Sequence, residues 1–199
     1  MKIDIAEVKR LRELTGVGIT DAKKALEEAK GDFDKALEEM RVKGLAKADK
    51  RGEREARAGI VDSYIHGERI GVLVEINCET DFVARNEEFT SFVHDIAMHI
   101  AASNPVCVSA EDAPEELVAK EKELVMAELK ESGKPDDMLE KIAEGKMNKF
   151  MDQICLLNQP FIKNPDQTVG DYLKERIAKL GENIVIRRFS RIELGGTSD

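Results

Sequence analysis

The chain has 199 residues, 42% of them hydrophobic and 36% charged, which is typical of a globular protein with a charged, helix-rich surface. It contains no Trp and only 5% aromatic residues, so a nucleic-acid surface built from stacked aromatic rings is excluded as the main site. The formal net charge of −9 points the same way, because neutralising phosphates requires clustered Lys and Arg.

The three cysteines, Cys78, Cys107 and Cys155, are far apart and form no CxxC pair. We therefore expect reduced thiols that pack as small apolar residues. The N-terminus has no signal-peptide hydrophobic run, and no stretch approaches the ~20 apolar residues that a membrane span needs. The sequence thus predicts a soluble, cytoplasmic protein without a membrane partner.

Residues 1–44 predict a bundle of three short helices, each with a cap at its start and a glycine at its end. The predicted N-caps are Asp4, Thr20 and Asp32, and the glycines that end the helices are Gly16, Gly31 and Gly44. Residues 45–58 are rich in Ala and charged residues and predict a solvated linker, helical in part.

The remaining residues, 59–199, predict an α+β domain. Two β-rich runs, 60–65 and 70–76, flank a turn at residues 66–68, and a strand over 183–194 should join them in an antiparallel three-stranded sheet. Asn86 can cap a helix whose apolar stripe runs from Phe89 to Ile100. A further helix should end at Gly181.

Residues 115–157 predict a projecting antiparallel helical hairpin, with arms at 115–131 and 136–157 joined by residues 132–135. The apolar positions of the second arm step by four and three residues, which is the seam spacing of a coiled coil. They are Ala143, Met147, Phe150, Ile154 and Leu157. Such an arm is typical of a protein that contacts another.

No constellation of catalytic residues is evident. His66, His94 and His99 lack a nucleophile motif, and His94 and His99 do not share a helix face as i, i+4 metal ligands would. The segment 16–18 lacks the features of a phosphate-binding loop. We therefore expect no catalytic residue, no metal and no cofactor, and no activity as a hydrolase.

The segment Thr80-Asp81-Phe82-Val83 follows a strongly apolar strand and precedes a helix cap. Thr80 and Asp81 favour turns and caps. Phe82 is either a core anchor or an exposed wedge, and the pattern alone favours the core, since most Phe residues are buried.

Several motifs together resemble the bacterial elongation factor Ts family. The most specific is GVLVEINCETDFVAR at residues 71–85, and the helix motif IAMHIAA at 96–102 follows it. The N-terminal motifs are VKRLR at 8–12, TGVG at 15–18, KKAL at 23–26 and GD at 31–32; the later signatures are QPF at 159–161 and GENI at 181–184. The single core copy resembles the short form of the family, and a homodimer stays an open alternative.

The resemblance implies a guanine nucleotide exchange factor that binds elongation factor Tu in its GDP and nucleotide-free forms, with no catalytic chemistry of its own. It implies that Thr80, Asp81, Phe82 and Val83 intrude near the partner's Mg²⁺ and phosphate site. It also implies a ubiquitin-associated-like N-terminal bundle that makes a second contact, with Arg12, Ile19 and Thr20 as the candidate residues.

Two other functions remain as alternatives. A ubiquitin-associated-like bundle can bind another protein partner. The second is RNA binding through a basic segment that we otherwise interpret as a solvated linker face. Its members are Lys43, Lys47, Lys50, Arg51 and Arg54.

Overall fold

The computed structural model describes residues 3–131 and 136–196. In that part of the chain the helices are α1 (Ile5–Thr15), α2 (Ile19–Glu28), α3 (Phe33–Arg51), α4 (Asp81–Ala84), α5 (Glu87–Ser103), α6 (Glu115–Glu131), α7 (Asp136–Ile154) and α8 (Val169–Leu180). The strands are β1 (Ala58–His66), β2 (Ile70–Cys78), β3 (Pro160–Phe161), β4 (Asn164–Thr168) and β5 (Ile184–Glu193). An antiparallel sheet has the order β1–β2–β5, which confirms the predicted α+β class and three-stranded sheet.

The chain divides into two compact units, each made of several stretches. Unit 1 consists of Met1–Val61, Ile76–Val93 and Asp171–Val185, and unit 2 of Asp62–Glu75, His94–Gly170 and Ile186–Asp199. The domain boundaries at residues 44 and 58 stay a prediction.

The N-terminal helices begin and end largely as their sequence predicts. Asp4 Oδ1 accepts from Ala6 N at 2.9 Å, and Asp32 Oδ1 accepts from Lys35 N at 3.1 Å, so both predicted N-caps are confirmed. Gly16 ends α1 with a φ of 68°, a left-handed conformation that glycine adopts without strain. The predicted cap Thr20 is wrong, because Gly18 is the N-cap and its carbonyl accepts from Ala22 N at 3.0 Å.

The sequence predicts that Gly44 ends the third helix, and this prediction is wrong. Helix α3 continues to Arg51, so the first half of the charged segment is helical. A Cβ at Gly44 would lie 3.2 Å from Ala178 Cβ, so this glycine allows a close approach to α8 instead of a helix stop. Arg51 then donates to the carbonyl of Ile177 at 2.9 Å.

Helices α1, α2 and α3 contact one another around a small apolar core in unit 1. Its fully buried members include Leu11 of α1, Leu26 of α2 and Ala36 of α3, each with no exposed surface. Small alanines dominate this core, so its hydrophobic contribution is modest.

The β1–β2 hairpin forms around the predicted turn. Gly67 and Glu68 have φ values of 54° and 57°, and Arg69 N donates to the His66 carbonyl at 3.0 Å. Positive φ at both central residues is the mark of a type I′ turn, whose twist matches that of paired strands. In β2 the residues Val72, Val74, Ile76 and Cys78 are buried and alternate with more exposed ones, so one face of the sheet is core.

Helices α6 and α7 contact each other, and Lys146 pairs with Glu128 between them. The predicted loop over residues 132–135 lies outside the described residues. Helix α7 ends at Ile154 rather than at residue 157. The physical reason is that the amide of Leu156 donates to the carbonyl of Cys107 at 2.9 Å, and a backbone bridge between Cys107 and Cys155 replaces the last helical turn.

Strands β3 and β4 form a small two-stranded antiparallel sheet that the sequence did not predict. The buried His99 of α5 is hydrogen-bonded to residues beside this small sheet. Ile162 N donates to His99 Nδ1 at 3.2 Å, and His99 Nε2 lies 2.9 Å from the Gln159 side-chain oxygen. In neutral His99, Nδ1 is therefore the acceptor and Nε2 carries the proton.

All three cysteines are free and buried, as expected. Burial is the main cause that raises the pKa of Cys78 to about 11 and that of Cys107 to about 12.

Because the thiolate is the nucleophile, we expect these two thiols to react with a disulfide reagent at pH 8 at least about 100-fold more slowly in the native than in the denatured protein. Stopped-flow absorbance measures both rates. Fast native labelling of Cys78 or Cys107, located by mass spectrometry, would contradict the prediction.

Burial lowers the pKa of His99 below its ordinary value of 6.5. The unfolded chain then binds more protons than the folded chain as the pH falls below about 6.5, so stability should be lost on acidification through this range. We expect His99→Gln to lose less thermal stability between pH 7.5 and 5.5 than the parent does. Thermal unfolding of both proteins at the two pH values measures the difference, and an equal loss of stability would contradict the prediction.

Candidate partner-binding site

The segment Thr80–Val83, the 80–83 loop, follows β2 and opens a single helical turn, α4. Thr80 is extended, and its Oγ1 accepts from Val83 N at 3.4 Å, which confirms the predicted cap. The carbonyl of Thr80 accepts from Ala84 N at 3.2 Å. The side chain and backbone of Thr80 thus both hold the turn that carries Phe82.

The side chain of Phe82 is 84% exposed, so the pattern-based expectation that it lies in the core is wrong. The reason lies in the helical turn. Ala84 is buried, and residues two apart on a helix point about 200° away from each other. Burial of Ala84 therefore directs Phe82 into solvent, while Val83 between them is half-buried.

Asp81 is exposed beside Phe82, at the first position of α4. Its Oδ2 lies 3.3 Å from Arg85 NH2, and both side chains are largely exposed. Such a surface ion pair contributes little to stability and is screened by salt. The Asp81 carboxylate can therefore exchange Arg85 for a group on a partner at small cost.

The carboxylate of Glu182 binds the start of the 80–83 loop through both its oxygens. Oε2 accepts from Glu79 N at 3.1 Å and from Thr80 N at 3.0 Å, and Oε1 accepts from the Thr80 hydroxyl at 2.6 Å. Hydrogen bonds to an ionised carboxylate are stronger than neutral ones. Glu182 also adds, after burial, to the causes that raise the pKa of Cys78.

Glu79 in turn contacts the segment that carries Glu182. Its Oε1 accepts from Asn183 N at 2.7 Å and lies 3.4 Å from Arg54 NH1. The buried Asn183 side chain donates to the carbonyls of Arg54 at 2.6 Å and Gly52 at 3.3 Å. Sequence reasoning missed Glu79, Glu182 and Asn183 as site residues.

The N-terminal candidates lie at the turn between α1 and α2. Arg12 stands in the last turn of α1, and Ile19 and Thr20 begin α2. All three are exposed, Ile19 to 52%. Gly16 in the same turn approaches α8 closely, since a Cβ there would lie 2.7 Å from the Lys179 backbone. The turn is thereby fixed within unit 1.

The basic segment is engaged with the protein itself at several positions. Lys43 Nζ lies 3.3 Å from Glu28, Arg51 donates to Ile177, and Arg54 reaches Glu79. These contacts compete with phosphates for the same cations, which weakens the RNA-binding alternative. The side chain of Lys47 lies outside the described residues.

Within residues 3–131 and 136–196, no group of three or more His, Cys, Asp or Glu side chains is arranged to hold a metal ion. In the same residues, no helix has the length and apolar character that crossing a membrane requires.

An exposed aromatic ring thus lies on a loop that a cap and a carboxylate hold in place, in a chain of the α+β class. A family model described as Elongation factor TS matches residues 2–176. The chain is 53% identical over 199 residues to elongation factor Ts of Thermodesulfovibrio yellowstonii, which covers 100% of both chains.

Two more relatives agree. Elongation factor Ts of Carboxydothermus hydrogenoformans is 59% identical over 94% of this chain and 87% of its own length. That of Moorella thermoacetica is 56% identical over 97% of this chain and 96% of its own. The chain belongs to the elongation factor Ts family, the nucleotide exchange factors for elongation factor Tu in translation elongation, and the resemblance in the motifs is confirmed.

Proposed function

We propose that the 80–83 loop of this chain enters the region of elongation factor Tu that holds Mg²⁺ and the phosphates of GDP, and so promotes GDP release. The exposure of Phe82, at 84%, is the observation that carries the proposal. Burying a Phe side chain contributes roughly 1.5–3 kcal/mol of stabilisation, and the exposed Phe82 ring gains little of this free energy in the free protein. The ring would gain it on entering an apolar gap of a partner.

The proposed mechanism is a linkage between two binding events. The factor binds the nucleotide-loose form of its partner more tightly than the GDP form, so the factor and GDP oppose each other through one reciprocal coupling free energy. The chain then needs contacts only, and no catalytic chemistry of its own. Its partners on this mechanism are the GDP and nucleotide-free forms of elongation factor Tu.

Each residue of the loop has a role in this mechanism. Phe82 acts as a wedge between partner elements, and Asp81, which can leave Arg85, disturbs polar contacts beside the metal. Mg²⁺ demands near-ideal octahedral geometry, so a small displacement of its ligands weakens its binding. Thr80 and Val83 hold the loop in shape, Thr80 as the N-cap and Val83 as the donor of its cap bond.

We further propose that Arg12, Ile19 and Thr20 form a second contact with the same partner. Their exposure on a turn that is fixed against α8 supports this. The α1–α3 bundle then acts as the ubiquitin-associated-like module of the family, and α6–α7 as a projecting coiled-coil arm. The activity belongs in the cytoplasm, where translation takes place, and either a monomer or a homodimer can carry it.

The wedge role of Phe82 can be tested by shortening its side chain. Phe82→Ala should lower the maximal rate of GDP release from elongation factor Tu by about 30-fold, the effect of losing a central apolar contact of about 2 kcal/mol. Phe82→Leu keeps much of the apolar volume and should fall between Ala and the parent. Release of a fluorescent GDP analogue at saturating factor measures the rate.

Because the side chain of Phe82 is exposed, Ala should leave the thermal stability of the free protein nearly unchanged. Leu194, 63% exposed after the end of β5, changed to Ala, is a matched control for loss of surface apolar area. If a folded Phe82→Ala protein accelerates release as well as the parent, the wedge mechanism is wrong.

The N-terminal contact can be tested at Ile19. Ile19→Ser should weaken the affinity for elongation factor Tu by about fivefold, as expected for a contact worth about 1 kcal/mol. Ile162→Ser in unit 2 is the control, since Ile162 is similarly exposed, at 42% against 52% for Ile19. Titration calorimetry with nucleotide-free partner measures both. Equal affinities of the two variants would remove Ile19 from the interface.

A further inference from the structure

We infer that Glu182 is the positioning residue of the 80–83 loop: it fixes the backbone and hydroxyl of Thr80 before a partner binds. This inference rests on the proposed function. Glu182 stands 102 residues from Thr80 in sequence, at the turn before β5, and nothing in the exchange mechanism requires it to touch the partner.

The carboxylate of Glu182 leaves the Glu79–Thr80 peptide little freedom. Two successive amides, those of Glu79 and Thr80, donate to the single oxygen Oε2 at 3.1 and 3.0 Å. Both N–H vectors must then converge on one point, which fixes the orientation of the peptide plane between them. The loop therefore leaves β2 in one direction.

The Thr80 hydroxyl transmits this constraint to α4. A hydroxyl has one proton to donate and two lone pairs that accept. Its proton is committed to Glu182 Oε1 at 2.6 Å, so a lone pair is turned toward Val83 N, 3.4 Å away. Glu182 thereby sets Thr80 as the N-cap of the turn whose next residues are Asp81 and Phe82.

The position of Glu182 is in turn fixed by Glu79. Glu79 accepts from the backbone amide of Asn183, and the Asn183 side chain donates to the carbonyls of Gly52 and Arg54. Glu79 and Glu182, the carboxylate pair, thus each hold the backbone of the segment that carries the other. Neither segment can shift without breaking contacts on both sides.

A positioning role has a kinetic signature that differs from that of a contact residue. If the loop without Glu182 adopts the binding conformation only a fraction of the time, the apparent affinity falls by that fraction. Once bound, the partner holds the loop in place and the maximal rate recovers. Removal of Glu182 should therefore raise the half-saturating concentration, whereas removal of Phe82 lowers the maximal rate.

The experiment measures GDP release from elongation factor Tu as a function of factor concentration for the parent, Glu182→Ala and Glu182→Gln. We expect Glu182→Ala to raise the half-saturating concentration by about tenfold, corresponding to a competent fraction of about one tenth, with a maximal rate within about twofold of the parent. Glu182→Gln keeps one side-chain oxygen and should show about a threefold rise. Glu38→Ala, which removes an exposed carboxylate of α3, is the control.

Amide hydrogen exchange in the free protein tests the geometry without a partner. The amides of Glu79 and Thr80 should lose protection in Glu182→Ala, while the amides within β2 keep theirs. Thr80→Val removes the hydroxyl that donates to Glu182. Its effect on the half-saturating concentration should not add to that of Glu182→Ala, since both changes break the same contact.

The outcomes separate the two claims. A folded Glu182→Ala protein with parental half-saturation, or with parental protection at Thr80, overturns the positioning role and leaves the exchange function intact. A parent that fails to accelerate release overturns the exchange function, and this inference with it. Where the Ala variant does not fold, the isosteric Gln variant decides: an unchanged half-saturating concentration overturns the role.

Discussion

The burial of Cys78 and Ala84 on either side of the 80–83 loop is the constraint on which the exposed position of Phe82 depends. Cys78 is the last buried residue of β2, and Ala84 is the only buried residue of α4. Because Ala84 is buried, the helical turn directs Phe82, two residues before it, outward. The exposed Phe82 is therefore a consequence of how the core is packed. The unfavourable free energy of exposing this ring is offset by the burial of many apolar residues of β2 and α5.

This constraint alone does not give the loop one conformation, and polar contacts complete it. The carboxylate pair and the Thr80 cap hold the loop in the free protein, so that the proposed binding of a partner there would cost little conformational entropy. For an exchange factor, the free energy kept in this way becomes available to oppose nucleotide binding. A disordered loop with the same side chains would bind more weakly, because part of the binding free energy would be offset by the entropy lost in ordering the loop.

The sequence predicted the elements whose signals are local and left out those that depend on distant partners. The caps Asp4 and Asp32 and the turn at Gly67 follow from side-chain chemistry within a few residues. The end of α7 involves the bond from Leu156 to Cys107, and Gly44 lies against Ala178 of α8, so neither feature could be found from the local pattern. Within the site, the cap Thr80 was predictable from its type. Glu182 was not, because nothing in a single sequence pairs two segments 102 residues apart.

The backbone bridge at Cys107 and Cys155 has a consequence for how this fold can change. The chain leaves Cys107, passes through α6 and α7 and reaches Cys155 beside its point of departure, with the two sulfur atoms 3.5 Å apart. The ends of an excursion that starts and finishes at one place can be joined by a short turn without re-routing the remaining chain. A shorter or longer segment between Cys107 and Cys155 would therefore leave the path of the remaining chain unchanged.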